Sequence, residues 1–121
     1  MKYASHVERP ATSYPGVTLV IARLSFNRRL ELAKQIRQLA GRHEFLRAGK
    51  SPEERMEGDI VAAELESLYV RWGLKEVRGL EIDGEIATPE QLLDCGPEAL
   101  VREAAEAIIA ECGLSVDERK N

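Results

Sequence analysis

The pair Asp83-Gly84 constrains this chain more tightly than any other feature of it. It lies between Leu80-Glu81-Ile82 and Glu85-Ile86-Ala87, and Asp-Gly between alternating apolar residues specifies a two-residue primed turn, because both central positions need positive φ. The flanks carry equally local instructions. Gly73 follows a run of helix formers and is expected to close that helix in the left-handed conformation, having no Cβ to clash. Thr88-Pro89-Glu90-Gln91 reads as a capping box with proline at the first helical position. Within residues 72–93 a helix ends, a hairpin turns and another helix begins.

The remaining segments follow from similar signals. Met1 to Pro15 contains Pro10, Pro15 and several Ser and Thr residues without periodicity, and is expected to be a flexible arm that orders only against something else. Val17 to Leu24 is β-branched and of strand length, with Val17, Leu19 and Ile21 on one face and Val20 and Ala22 on the other, as in a central strand or one covered on both faces. Ser25 is placed to cap a helix whose projection at about 100° per residue gathers Leu32, Ala33, Ile36, Leu39 and Ala40 into a buried arc. Arg29 falls near the centre of that arc, and Gly41 is expected to fray or bend the helix. Ser51-Pro52-Glu53-Glu54 starts a further helix predicted to reach Trp72.

That helix carries two apolar stripes. Val61, Leu65, Leu68 and Trp72 share one face, and Met56, Ile60, Ala63 and Val70 lie nearly opposite, separated by Glu57, Glu64 and Arg71 on one side and by Asp59 and Glu66 on the other. A helix of this kind is buried between two layers or shows its second stripe to a partner, so Met56, Ile60, Ala63 and Val70 are the candidate partner-binding residues. After the hairpin, a short helix from Thr88 to Asp94 ends at Gly96. Pro97 opens a last long helix with Val101, Ala104, Ala105, Ile108 and Cys112 inside, ended by Gly113. The expected fold is α+β: a small antiparallel sheet made of the N-terminal strand plus the Asp-Gly hairpin, with Gly79 as a bulge or close backbone contact, packed with about four helices in one domain over 16–121.

Chemistry is hard to place on this sequence. Ser25, Ser51 and Ser115 are better read as helix caps, and no serine lies in a nucleophile elbow. Carboxylates at i, i+3 or i, i+4 on outward faces read as solvated helix surface. No glycine-rich loop precedes a helix in the phosphate-cradling pattern. Cys95 and Cys112 match no zinc or redox spacing and are expected to be reduced and mostly buried, and His6 and His43 have no second ligand at helical spacing. The chain therefore reads as no enzyme, with no cofactor and no metal. Trp72, the sole tryptophan, reads as a core anchor. Nothing approaches a membrane span and the first residues have no signal-peptide core, so a cytoplasmic protein without membrane contact is expected.

The net charge of −4 hides an asymmetry. Residues 26–50 hold seven Lys or Arg against two acids, whereas residues 51–121 hold seven against eighteen acids. A nucleic-acid surface would gather the cations on one face, but helical projection scatters them, so pairing with the acidic half or with solvent is favoured. Opposite poles also predict weak, salt-sensitive self-association.

One resemblance bears on function. Trp72-Gly73-Leu74, Val77, Gly79-Leu80, Ile82-Asp83-Gly84, Thr88-Pro89-Glu90-Gln91-Leu92, Gly96-Pro97 and Leu114-Ser115 with Glu118-Arg119-Lys120-Asn121 resemble small proteins of tailed-phage and prophage gene clusters. Among these the chain is most similar to the tail assembly chaperones of long-tailed phages, over roughly residues 55–121. The resemblance implies a non-enzymatic binding protein without cofactor. Its partners would be the helical tape measure protein, kept soluble by the chaperone, and the tail tube subunits brought to it. It also implies a longer product made by frameshifting near the codons of Lys120-Asn121. The alternatives are a structural virion protein of the tail tube or neck, and a small nucleic-acid-binding regulator using the basic residues of 23–50.

Overall fold

The computed structural model describes residues 1–47 and 51–112, the side chains of 40 and 42–47 excepted. The expectations for Gly113 and for 114–121 lie outside the described residues. The fold is α+β, with four helices, a three-stranded antiparallel sheet and a two-stranded sheet among the described residues. Two compact units divide it, one made of Met1–Leu24 with the chain from Tyr69 onward, the other of Ser25–Leu68.

The first unit is built on β2 (Thr18–Ala22), which pairs antiparallel with β1 (His6–Pro10) on one side and β3 (Leu74–Arg78) on the other. Leu19, Val20, Ile21 and Ala22 are all buried. Because successive strand residues point to opposite faces, both faces of this central strand are covered. The ladder runs from His6 opposite Ala22 to Pro10 opposite Thr18, and on the other edge Leu19 faces Val77, with an irregularity between Val20 and Ile21.

Two sequence expectations are corrected here. Residues 6–10 of the expected arm are strand β1. Its side chains apart from Val7 are exposed, so it carries no apolar alternation and is held by its backbone ladder, which Arg23 N–H extends by donating to Ser5 O (2.8 Å). Pro10 sits at the end of this edge strand, where a missing N–H is tolerated. The Asp-Gly hairpin, in turn, does not join the N-terminal strand. β4 (Glu81–Ile82) and β5 (Glu85–Ile86) pair with each other alone, around Asp83 (φ 53) and Gly84 (φ 83). The strand breaks at Gly79 (φ 81), where a Cβ would strike the carbonyl oxygen of Gly16. β3 therefore pairs with β2, and the chain leaves the sheet before the hairpin begins.

Thr88 caps α3 (Pro89–Cys95) with both halves of the box in place: Gln91 N–H donates to Thr88 Oγ1 (3.1 Å) and Thr88 N–H to Gln91 Oε1 (3.0 Å). Gly96 N–H donates to Leu92 O at the other end (3.0 Å). In α4 (Glu98–Glu111), Leu100, Ala104, Ala105 and Ile108 are buried, and α4 packs on β2. Val101 is only half-buried, because the inward face repeats as Leu100, Ala104, Ile108 and turns away from it. Cys112 is buried, but Cys95, at the last turn of α3, is exposed.

The second unit holds α1 (Phe26–Arg47) and all but the last residues of α2 (Pro52–Gly73). Both starts are capped as the sequence specifies. Arg28 N–H donates to Ser25 Oγ (3.3 Å) and Glu54 N–H to Ser51 Oγ (3.1 Å). Glu53 and Glu54 add negative charge at the positive end of α2. Gly41 lies inside α1 without ending it. Gly73 ends α2 without left-handed backbone, since among the described residues the positive-φ glycines are Gly16, Gly79 and Gly84. A Cβ on Gly73 would lie 2.6 Å from Cγ2 of the buried Ile108, so close packing, and not a turn, calls for glycine there.

Candidate helix-docking surface

The residues singled out on α2 divide between surface and core. Met56 is 64% exposed, Ile60 50% exposed, and Ala63 is also exposed. Val70 is fully buried and is corrected to the core of the first unit. The stripe therefore extends from Met56 to Ala63 at i, i+4, i+7, the spacing that aligns side chains along one helical face. On the other expected face Val61 is buried, while Leu65, Leu68 and Trp72 are half-buried.

An equivalent stripe on α1 is missed by the sequence projection. Phe26 is 86% and Leu30 52% exposed, and Ala33, expected inside, is exposed too. Leu32 is buried, with Ile36 and Leu39 half-buried, so the inward face lies to one side of the arc drawn from sequence. The spacing of Phe26, Leu30 and Ala33 was the available signal, obscured because Phe26 opens the helix and Arg29 lies between. Large apolar side chains grouped on a helix face mark a surface for another polypeptide more than isolated ones do.

The charged groups are arranged differently in the two units. In the first, Arg9 and Arg23 both reach Glu111 (2.9 and 3.7 Å), and Arg71 reaches Glu90 (2.9 Å). Arg78 bonds Glu76 (3.2 Å) and Glu8, and these two carboxylates raise its pKa above the ordinary guanidinium value. Glu103 of α4 accepts the backbone N–H groups of Thr12 (2.6 Å) and Ser13 (2.9 Å). Burial pushes its carboxyl up, but the hydrogen bonds from Ser13 and Thr12 outweigh this and hold it below the usual carboxylate range. Arg29, Lys34 and Arg37 of the second unit are exposed, while Arg23, part of the same basic run, is engaged by Glu111.

These polar groups tie loops and strands of the fold together. Among the described residues no group of three His, Cys, Asp or Glu is placed to hold a metal ion, and no helix is long and apolar enough to cross a membrane. The exposed stripes on α1 and α2 are helical and apolar, with charged residues beside them. No family model, curated protein or solved structure matches the chain.

Proposed function

We infer that this chain is a non-enzymatic protein of a phage or prophage, a tail assembly chaperone that works in the host cytoplasm. Its clients are the helical tape measure protein and the tail tube subunits, and Met56, Ile60 and Ala63 hold the client helix. The observation that carries this reading is the exposure of those three residues in line on α2. A helix docks on such a face by burying its own i, i+4, i+7 residues against it, and such burial needs neither cofactor nor reaction. Acidic residues beside the stripe, Asp59 and Glu64, set which helices are accepted by favouring basic flanks.

Co-expression tests it. The chain is produced with the long helical product of the adjacent tape measure gene, which is expected to be insoluble alone and soluble with the chain. Ile60→Glu is expected to abolish that rescue while leaving the chain folded. A gene neighbourhood without a tape measure gene, rescue that survives Ile60→Glu, or the chain found as a stoichiometric part of purified virions would each overturn the reading. A gel shift with DNA at low salt that depends on Arg29 and Lys34 would replace it with a nucleic-acid role.

A further inference from the structure

The two exposed stripes of the helical unit follow one template with the charges reversed. In α1 it is Phe26, Arg29, Leu30, Ala33 and Lys34. In α2, at the same spacing, it is Met56, Asp59, Ile60, Ala63 and Glu64. All ten residues are exposed among the described residues. On an α-helix Arg29 and Lys34 fall about 70° to either side of the α1 stripe, as Asp59 and Glu64 do on α2. Arg37 continues the basic stripe and Glu53 adds to the acidic one, both exposed. Within residues 26–37 of α1 and 53–64 of α2, the charges of opposite sign, Glu31 and Arg55, lie well off the stripes, about 130° and 110° round their helices; Arg71, further along α2, is paired with Glu90.

We propose that the occupant of this surface is a second copy of the chain, the α1 stripe of each copy seated antiparallel on the α2 stripe of the other. Antiparallel docking sets the large Phe26 against Ala63 and Met56 against Ala33, with Leu30 on Ile60 between them. Parallel docking would oppose large to large and small to small, leaving a clash and a gap. Both flanks of α1 are basic and both flanks of α2 acidic, so each side of the seam is attractive. The like pairings, α1 on α1 or α2 on α2, are repulsive. Each copy offers one stripe of each kind, so the proposed contact, using both at once, is a two-fold dimer. A client helix gripped at Met56, Ile60 and Ala63 must then displace the partner copy, but the pairing does not rest on there being a client.

Sedimentation velocity of the full chain, at low and high salt, tests it. The wild-type chain is expected to be a dimer at low salt that dissociates as salt screens the flanks. Arg29→Glu with Lys34→Glu makes both stripes acidic, and Asp59→Lys with Glu64→Lys makes both basic. Each double variant is expected to weaken self-association on the order of a hundredfold. Mixing the two double variants should restore a dimer, and so should combining all four substitutions in one chain. The sites are exposed, so circular dichroism should show each variant folded. A wild type that is monomeric at low salt, an association indifferent to either double variant, or a folded quadruple variant that stays monomeric would overturn the proposal. Failure to solubilise a tape measure protein would leave these outcomes unchanged, so the two readings fail separately.

Discussion

The sheet-bearing unit and the helical unit use their apolar residues in opposite ways. Around β2 they point inward, and Leu19, Ile21, Leu92, Leu100 and Ile108 are essentially inaccessible. Along α1 and α2 the described core is smaller, with Leu32 and Val61 buried, while Phe26, Leu30, Met56 and Ile60 face outward. In the first unit Glu103 and Glu111 join segments far apart in sequence. The fully buried side chains thus come mostly from the first unit, while Phe26, Leu30, Met56 and Ile60 leave large apolar surface on the second.

The contrast can be broken by mutation. Leu100→Ala should have the largest effect, a loss of about 2–5 kcal/mol, because it removes a fully buried side chain and leaves a cavity. Urea denaturation would read it, and a loss below that range would mean that the sheet-bearing unit is less tightly filled than its burial indicates. Glu103→Gln should cost less, roughly 1 kcal/mol at neutral pH, discounted for a half-buried site. The sign of its pH dependence follows from a folded carboxyl held below the ordinary carboxylate range. The wild-type contribution is present above that range and is lost as pH falls through the lower folded pKa. The variant should therefore show a flatter acid limb below pH 4.5, and an unchanged limb would remove Glu103 from the account. Ile60→Ser should have the smallest effect on the fold, within about 0.5 kcal/mol, as for an exposed helical position. It should be measured on dilute chain at high salt, where self-association does not add to stability. A large loss there would mean that the helical unit uses Ile60 internally, and the contrast would fail.

What was legible in the sequence is what local chemistry dictates. The Asp83-Gly84 turn, the Thr88–Gln91 box, the caps at Ser25 and Ser51 and the doubly apolar β2 each depend on residues within a few positions of one another, and the structure places them as read. What was not legible is long-range. β1 has almost no apolar side chain to announce it, and it exists because β2 offers a free backbone edge. Gly73 looked like a turn residue, but its role depends on Ile108, far along the chain. The candidate surface was legible for Met56, Ile60 and Ala63, since helical spacing alone aligns them. Val70 was misplaced because the same helix passes from one unit to the other before reaching it. The α1 stripe was overlooked because the projection sought one inward arc and assigned the remaining positions to solvent.

The outer strand β1 carries a further implication for the protein at high concentration. Glu8 and Arg9 are exposed on it, and Pro10 at its end has no hydrogen to offer an incoming strand. An edge so marked is a poor template for amyloid-like stacking. Crowded copies of this molecule are thereby discouraged from adding strands along the β1 side of the sheet.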